Sequence, residues 1–482
     1  MIILFKYYHI IYFYEKMKIQ LRPGFLIIYF IVLFLTPVNI LGQLTIDIDA
    51  PSLANRSIEL GYFYGSKTFL GDTIRINSNG TGKYIGDYRE GIYFLIMPDS
   101  SFHEFMVTNG NNYLITISRI DIKYRVGLKG NQVSEGFDAY NREFSVILKS
   151  IDSLKLGLQQ TTDQFLRTKL NEELNDESGK LEILKSQYIL EYRGSFLEKY
   201  LLALSPVDVN KINQSKGDSN QLISRLKLYQ QHYLDNIDFN DERLIYTPIL
   251  YEKVNTYLDK IVQQAPLALT MAIDTMFTAI RNNEVRQFIL EELIKKYRLS
   301  IKRPLNEYVY AHLIEHYILT GHAPWMSSEQ IHQFNTELGL IKPTLLLQSA
   351  PEINLPGADK LFYSLNALKS GYTILIFWDL NCPICKKVIQ DLKTTVLKYN
   401  YLNISVYTIY TGTDFDFWRN FVQAKVPGTW INTHEVENNK VIRMYNISLT
   451  PMIILLNSDK KIIDKSLTVK ELDSFFLKIA LH

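Results

Sequence analysis

The sequence predicts a multidomain protein with a small N-terminal β-sandwich, a central all-α region and a C-terminal α/β domain. The chain has 482 residues, which is too long for one domain. Its apolar residues first alternate, then recur at three- and four-residue steps, and finally mark strands that alternate with helices. Hydrophobic residues make up 47% and charged residues 21%, so the chain can bury sizeable cores and is neither disordered nor fibrous.

Charge and cysteine content exclude several classes of protein. Lys and Arg number 52, and Asp and Glu number 50, which gives a net charge of +2. This balance argues against a nucleic-acid partner and against a polybasic membrane surface. The two cysteines are too few for a disulfide-stapled scaffold or a four-cysteine zinc site. We therefore expect no nucleic-acid partner and no metal ion.

Residues 1–42 are predicted to be a signal peptide. The apolar run 25–35, FLIIYFIVLFL, follows three basic residues and precedes Gly42, a small residue suited to a cleavage site. This run is shorter than the roughly 20 residues that a membrane-spanning helix needs. We expect export with cleavage near Gly42; an uncleaved signal that anchors the chain in the membrane is the alternative. Met17 begins a more natural signal peptide, which makes the first sixteen residues a candidate start-site artefact.

Residues 43–130 are predicted to form the β-sandwich. Leu44, Ile46 and Ile48 alternate with polar residues, which is the pattern of a half-buried strand. Asn-Gly pairs at 79–80 and 109–110 supply turns. Several short strands at this spacing favour a small sandwich. The predicted strands cover 44–49, 57–62, 73–77, 91–97, 103–107 and 113–117.

Residues 131–345 are predicted to be helical. From Phe137 to Leu154, apolar residues recur at three- and four-residue steps and form one face of an amphipathic helix. The segment 215–220, SKGDSN, is the best candidate for an internal loop. Further helices are predicted over 163–201, 220–233, 246–262, 267–281, 284–297 and 305–319.

Residues 346–482 are predicted to form the α/β domain, and both cysteines lie in it, in the motif C-P-I-C at 382–385. A helix is predicted from Cys385, which places Cys382 at its N-terminus, where free backbone N–H groups stabilise a thiolate. Cys385 follows one turn later, near enough to form a disulfide with Cys382. A redox pair is therefore the preferred interpretation, and half of a zinc site or an inert pair are the alternatives. The other elements predicted here are strands over 373–378, 404–410, 452–456 and 461–465 and helices over 415–424 and 469–481.

Three stretches of this domain carry a resemblance to a known family. FWDLNCPICKK, LTPMIILLNSDKKII and the opening SAPEINLPG resemble a thioredoxin-like domain of the TlpA/ResA type, over roughly residues 350–482. The stretch EYVYAHLIEHYILTGHAPWMSSEQI resembles the helical region before such domains in large exported thioredoxin-like proteins of Gram-negative bacteria. The first strands resemble, in architecture, the small β-domain at the front of those proteins.

The resemblance implies a thioredoxin fold and a thiol–disulfide oxidoreductase. Cys382 takes the position of the nucleophile and Cys385 that of the resolving cysteine, so the redox-active disulfide is the reactive group and no separate cofactor is expected. The implied partners are protein disulfides or dithiols and an unknown electron donor. The implied location is the periplasm or cell envelope of a Gram-negative bacterium.

The resemblance also implies a substrate-binding surface. Pro451 takes the position of a cis-proline that faces the disulfide, and Thr450 before it is expected to contact the substrate backbone; an ordinary trans proline is the alternative. Trp378, together with Pro383 and Ile384 between the cysteines, completes the expected surface. The Pro-Ile pair includes no histidine to stabilise the thiolate, which favours a reductase or isomerase over a strong oxidant.

The sequence departs from the family pattern at two positions. Ile376 stands where many thioredoxins carry a buried acid, and Asn381 stands where a tryptophan is common. Both departures put fast, general thioredoxin-type reduction in doubt. Asp379 is a candidate for proton transfer from Cys385, with a solvated loop charge as the alternative. A binding or scaffold protein with a vestigial thioredoxin-like domain is therefore the second hypothesis.

One further motif matches a metalloprotease pattern. His312 and His316 frame the sequence H-L-I-E-H, in which both histidines would share one face of a helix. No third ligand can be identified by motif, and the flanking residues form an ordinary amphipathic pattern. A structural helix is the preferred interpretation.

Overall fold

The computed structural model describes residues 43–108, 112–121, 123–207, 221–435 and 439–481. The predicted signal peptide, the turn at 109–110 and the loop at 215–220 lie outside the described residues. Along the chain the described elements change from strands to helices to a mixed α/β region, which confirms the predicted fold class. None of the helices described is both long and apolar enough to cross a membrane.

The N-terminal part is a sandwich of two four-stranded sheets. Its strands are β1 Gln43–Asp49, β2 Ser57–Tyr64, β3 Lys67–Arg75, β4 Thr81–Asp87, β5 Gly91–Ile96, β6 Phe102–Val107, β7 Asn112–Ile120 and β8 Lys123–Lys129. One sheet has the order β4-β1-β7-β8 and the other the order β3-β2-β5-β6. Leu44, Ile46 and Ile48 of β1 are buried between the sheets, as their alternation predicts.

The predicted strands miss β4 and β8 and begin β3 six residues late. β4 lies at the edge of its sheet, and its residues alternate between exposed and half-buried. In β8 a single side chain, Leu128, is buried. Strands with so few buried apolar residues leave little alternation in the sequence, so the pattern does not indicate them.

The central part is helical and shares its core with the sandwich. Phe63, Ile92 and Phe94 of the sandwich belong to the same apolar cluster as the helices. The two longest helices, α1 and α2, pack against each other. The helices are α1 Gln132–Gln160, α2 Gln164–Glu191, α3 Phe196–Leu204, α4 Gln221–His232, α5 Ile249–Thr256, α6 Pro266–Ala279, α7 Asn283–Leu299, α8 Pro304–Leu313 and α9 Ser328–Ile341.

The predicted helix over 163–201 is wrong as one continuous element. The structure breaks it between α2 and α3, where Gly194 has a φ of +81° and Ser195 caps α3 by accepting the Glu198 N–H.

Two other predicted helices change their hydrogen-bond pattern near the end, because α5 and α8 each continue as a single π-helical turn. These turns are Tyr257–Ile261 and Ile314–Ile318, and short 3₁₀ turns are Pro51–Leu53, Glu242–Tyr246, Lys342–Thr344 and Asn400–Leu402.

The C-terminal part is built on a five-stranded sheet of order β13-β12-β11-β14-β15. Its strands are β9 Asn354–Pro356, β10 Phe362–Ser364, β11 Tyr372–Trp378, β12 Ile404–Tyr410, β13 Ile431–His434, β14 Met452–Leu456 and β15 Ile462–Lys465. Its helices are α10 Cys385–Lys398, α11 Phe415–Lys425, α12 Lys440–Met444 and α13 Val469–Ala480. β11, β12 and β13 run parallel, while β14 and β15 run antiparallel to their neighbours. The central strand β11 is buried on both faces, which explains its continuous apolar sequence.

The α/β domain docks on the helical region through a few defined contacts. Glu307 of α8 forms an ion pair with Lys465 of β15, and both side chains are largely buried. Where the chain enters the domain, the backbone N–H of Leu347 donates to the carbonyl of Ile462. Tyr308 of α8 packs against the apolar cluster on that side of the sheet. The two regions therefore meet at the sheet edge formed by β15.

Candidate active site

Cys382 and Cys385 form a disulfide, with their Cα atoms 5.4 Å apart. The two residues differ in exposure. Cys385, the first residue of α10, is 0% exposed and belongs to the apolar core beneath the sheet. Cys382 lies in the turn before α10 and is half-buried. A partner can therefore approach the sulfur of Cys382 but not that of Cys385.

A short hydrogen-bonded turn presents the pair at the end of β11. The Asp379 carboxylate accepts the N–H of Asn381 at 2.7 Å, and the Asp379 carbonyl accepts the N–H of Cys382 at 3.3 Å. The Cys382 carbonyl in turn accepts the N–H of Cys385 at 3.2 Å. Asp379 thus stabilises the turn, as aspartate often does in such positions. Its predicted part in proton transfer stays a prediction.

The start of α10 favours a negative charge near the pair. No side chain caps this helix at Ile384, so N–H groups of its first turn have no side-chain acceptor there. The positive end of the helix dipole consequently lies beside Cys382, and Lys386 and Lys387 follow in the first turn. Both effects stabilise a thiolate on Cys382 once the disulfide is reduced.

Strand pairing brings Thr450 and Pro451 to the disulfide. Met452 at the start of β14 pairs with Phe377 near the end of β11, so the residues just before β14 lie beside the turn that follows β11. The Thr450–Pro451 peptide bond is cis. The carbonyl oxygen of Thr450 lies 3.4 Å from the sulfur of Cys382. Thr450 and Pro451 are half-buried.

The other predicted contact residues divide between surface and core. Pro383 and Ile384 are exposed beside the disulfide, Ile384 by 59%. Trp378 is 0% exposed, and its ring centroid lies 5.6 Å from that of Tyr410 and 5.5 Å from that of Phe421. Trp378 therefore lies in the core and not on the surface around the disulfide, because side chains of α11 and β12 cover the end of β11.

Two exposed apolar side chains near the pair are missed by the sequence interpretation. Leu449, 67% exposed, immediately precedes Thr450. Phe417 of α11 is 51% exposed, and the ammonium of Lys386 lies 5.6 Å from its ring centroid. Leu449 is part of the stretch that carries the family resemblance, so it could have been found there. Phe417 comes from a separate helix, and no motif in the sequence indicates it.

The departure at Ile376 places an apolar side chain where an acid would face the resolving cysteine. Ile376 is 0% exposed and lies in the same core cluster as Cys385. Close by, burial raises the pKa of Tyr410, and the Asp379 carboxylate raises it further. The surroundings of Cys385 are thus apolar and aromatic, which disfavours its charged form.

Packing and hydrogen bonds engage His434 and the two histidines of the metalloprotease-like motif. His434, the histidine nearest downstream of the cysteines, packs on the rings of Phe415 and Trp418, and burial lowers its pKa. His312 Nε2 shares a hydrogen bond of 2.8 Å with Asp274, and its ring stacks on that of His316. In the described ranges, no group of three or more His, Cys, Asp or Glu residues could hold a metal ion.

Comparisons with known protein families match two parts of the chain. Residues 371–462 match the family described as thioredoxin-like, so the C-terminal region is a thioredoxin-like domain. Residues 219–342 match a domain of unknown function (DUF5106). No curated protein matches the chain.

Solved structures similar to this chain include proteins from three bacteria. A thioredoxin-like protein from Bacteroides caccae is 22% identical over 55% of this chain and 98% of its own, with a TM-score of 0.42. A domain of a "possible thiol-disulfide isomerase" from Cytophaga hutchinsonii is 29% identical over 29% of this chain and 95% of its own, with a TM-score of 0.27. The thioredoxin domain of a thiol-disulfide oxidoreductase from Bacteroides vulgatus is 23% identical over 28% of this chain and 96% of its own, with a TM-score of 0.26.

Proposed function

We propose that this chain, whose C-terminal region is a thioredoxin-like domain, is an exported thiol–disulfide oxidoreductase that reduces or isomerises disulfides of other proteins. The observation that carries the proposal is the Cys382–Cys385 disulfide, in which one sulfur is accessible and lies 3.4 Å from the Thr450 carbonyl. Export is proposed from the signal-like sequence of residues 1–42.

The exchange begins from the reduced pair. The Cys382 thiolate attacks one sulfur of a substrate disulfide, forms a mixed disulfide and releases the other substrate sulfur as a thiolate, which takes up a proton. Cys385 then loses its thiol proton as its sulfur attacks that of Cys382, and the second substrate sulfur leaves as a thiolate that takes up a proton. Two electrons move to the substrate, and the Cys382–Cys385 disulfide forms again. An external dithiol donor must reduce it before the next cycle.

The exposure of the two cysteines supports the roles proposed for them in these steps. The half-buried sulfur of Cys382 can meet a substrate, whereas the buried Cys385 can meet only Cys382. The Thr450 carbonyl beside Cys382 is suited to accept a backbone N–H from the substrate segment that carries the attacked cysteine. Ile384 and Leu449 offer apolar contacts to that segment. Trp378 is left out of these contacts because it is buried.

The direction of exchange rests on the neighbours of the pair. The two residues between the cysteines, Pro383 and Ile384, cannot donate a side-chain hydrogen bond to the Cys382 thiolate. The reduced form is therefore stabilised mainly by the helix terminus, and we propose a reductase or isomerase over a strong oxidant.

Turnover with insulin as a protein disulfide and dithiothreitol as the donor tests the proposal. We expect the full chain to accelerate insulin reduction, and we expect Cys382→Ser to abolish the acceleration because no attacking thiolate remains. Cys385→Ser should instead accumulate a mixed disulfide on Cys382, visible as a band that dithiothreitol removes. Insulin reduction that is equally fast with the Cys382→Ser variant would overturn the proposal and favour a binding or scaffold protein.

The reduction potential tests the direction separately. The pair is equilibrated in dithiothreitol or glutathione buffers, and the reduced fraction is measured by thiol alkylation. A value near the roughly −270 mV of thioredoxin supports a reductase. A value near the roughly −120 mV of the strongest disulfide donors would contradict the proposed direction while leaving the exchange chemistry intact.

A further inference from the structure

An open cleft of about 490 Å³ lies where the β-sandwich meets the helical region. All of its lining residues precede the domain that contains the two cysteines. Aromatic side chains dominate its lining. Six tyrosines define what we call the tyrosine cleft: Tyr62, Tyr64, Tyr84, Tyr88, Tyr93 and Tyr246. Tyrosine supplies a large contact area with little loss of conformational entropy and also offers a hydroxyl group, so such a lining is typical of a binding surface.

The tyrosine cleft has a negative rim. Asp72 and Asp87 line it and are exposed. Burial raises the pKa of Tyr84, and the two carboxylates raise it further, so both lie close to this ring. The neighbouring cations are engaged elsewhere, because Lys83 pairs with Asp47 and Arg89 pairs with Glu284. Among the described residues, neither Asp72 nor Asp87 has a basic partner in an ion pair.

One ring of the cleft already holds a cation from the chain itself. The guanidinium of Arg89 lies 5.5 Å from the centroid of the Tyr246 ring. Tyrosine faces attract cations through the ring quadrupole, and nearby carboxylates add to this attraction. Tyr93 is buried and Tyr62 stacks on Phe69, so these two rings mainly form the wall of the cleft. The half-buried Tyr84, beside Asp72 and Asp87, offers the best place for a second cation from outside the chain.

The strand beside the cleft is suited to bind an extended backbone. β3 is the last strand of its sheet, so in the described part of the chain only one of its edges is hydrogen-bonded, to β2. A bulge leaves Gly71 without a partner between the pairs Leu60–Asp72 and Gly61–Leu70. Phe69 and Leu70 next to this bulge are 40% and 61% exposed. Exposed apolar residues on a free strand edge commonly mark the place where a further strand binds.

We propose that the tyrosine cleft binds an extended polypeptide segment that carries Lys or Arg. The basic side chain contacts the ring of Tyr84 and pairs with Asp72 and Asp87, while the segment's backbone follows the edge of β3. A neutral glycan could also stack on aromatic rings, but it would gain nothing from the negative rim or the strand edge. This proposal does not depend on the proposed disulfide exchange.

Fluorescence anisotropy with two labelled decapeptides tests whether the tyrosine cleft binds a basic polypeptide segment. One peptide alternates Val and Arg, and the other alternates Val and Glu. The protein is the full chain with Cys382→Ser and Cys385→Ser, so that no disulfide exchange contributes. We expect the Arg peptide to bind and the Glu peptide not to bind.

The double variant Asp72→Asn, Asp87→Asn should weaken binding of the Arg peptide about tenfold. The matched control Asp152→Asn, Asp176→Asn changes two exposed carboxylates on α1 and α2 and should leave affinity within about twofold.

Three outcomes would overturn the proposal. Equal weakening by the two double variants would mean attraction to the net charge of the protein and not to the cleft. Equal binding of both peptides would remove the role of the acidic rim. Displacement of the Arg peptide by cellohexaose, with saturating binding of the sugar alone, would assign the cleft to a glycan.

Discussion

At the scale of single residues, the exposed apolar side chains beside the disulfide are the best candidates for substrate selection. Leu449 is 67% exposed and precedes Thr450, whose carbonyl lies beside Cys382. Because most of its side chain is open to solvent, we expect Leu449 to add little to stability and to be available for contact with a substrate.

We expect Leu449→Ser to raise the KM for insulin severalfold and to leave kcat nearly unchanged. The variant loses apolar contact with a protein substrate but keeps both cysteines, and its stability should change by no more than about 0.5 kcal/mol. Reduction of a small disulfide such as oxidised glutathione should be unaffected. Leu397→Ser, which changes a residue 62% exposed near the other end of α10, is the control. An equal loss with insulin and glutathione would contradict a role in substrate contact.

Individual site residues differ in how well the sequence predicts them. The cysteines and Thr450-Pro451 stand in contiguous motifs, so their types and spacing are visible without a structure. The depth of Trp378 is not visible, because it depends on α11 packing over the end of β11. The proximity of Phe417 likewise arises from tertiary packing, since more than thirty residues separate it from Cys382. Local pattern therefore predicts the reacting groups better than it predicts their surroundings.

At the scale of elements, the break between α2 and α3 depends on one glycine. Gly194 has a φ of +81°, in the left-handed region that residues with a Cβ atom rarely adopt. We expect Gly194→Ala to lower the free energy of unfolding by about 1 kcal/mol, although its Cβ would meet no neighbour within 4 Å. Thermal unfolding followed by circular dichroism measures the change.

Gly179 supplies the matched comparison, because it lies in the interior of α2 with open space around it. Gly179→Ala should stabilise the chain by up to about 1 kcal/mol, since alanine favours a helix interior. If both substitutions shifted stability in the same direction, the conformation at Gly194 would not be the cause. The apolar pattern across 163–201 does not reveal this break, because it runs through both helices and the break depends on backbone conformation.

The ion pair between α8 and β15 predicts a pH-dependent stability. Burial raises the pKa of Glu307 above its ordinary 4.5, and Lys465 opposes that shift. A carboxyl group whose pKa is raised by folding stabilises the fold while protonated, and this contribution is lost as the pH rises through the raised pKa. Lys465→Met removes the opposing cation. We therefore expect it to lower stability by about 3 kcal/mol at pH 8 and by less at pH 5.

Melting temperatures from pH 5 to pH 8 measure this effect. Adding Glu307→Gln to the Lys465→Met variant should restore most of the loss at pH 8, because no buried charge then remains without a partner. Lys461→Met removes an exposed ammonium nearby and should have a small effect at every pH. A loss for Lys465→Met that did not change with pH would mean that packing, and not the charge of Glu307, is responsible.

At the scale of the whole molecule, the shared core predicts how the chain unfolds. Phe63, Ile92 and Phe94 of the sandwich lie in one cluster with the central helices. The α/β domain instead has clusters largely of its own, and Tyr308 is a helical-region residue that packs against one of them. We therefore expect the sandwich and the helices to unfold together and the thioredoxin-like domain to unfold separately.

Differential scanning calorimetry with and without dithiothreitol measures whether the thioredoxin-like domain unfolds separately. Two transitions are expected, and the reductant should move only one of them. Loss of a disulfide that closes so short a loop removes about 2 kcal/mol of stability from that domain, so its transition should shift to lower temperature. The Cys382→Ser, Cys385→Ser variant is the control and should not respond to the reductant. A shift of both transitions would show that the domains unfold as one unit.

The order of the three structural classes follows from sequence periodicity, but their association does not. Alternating, helical and mixed patterns are local, so each region is indicated by its own residues. Contacts such as Arg243 with Glu90 join residues 153 positions apart, and no local pattern indicates them. The tyrosine cleft is a similar case, because its rings come from β2, β4, β5, the loop between β4 and β5, and a helical turn far along the chain.

The unequal exposure of the two sulfurs also orders the proposed exchange in time. Because only the sulfur of Cys382 can be reached, a substrate and an electron donor must bind at the same place, one after the other. The two cannot be bound at this place together, so each binding event transfers two electrons, either from the donor to the protein or from the protein to the substrate. Plots of reciprocal rate against reciprocal insulin concentration at several donor concentrations would then be parallel lines, and an excess of either partner would obstruct the other. If the proposed function holds, the burial of one small side chain would make the protein an electron carrier that alternates between substrate and donor.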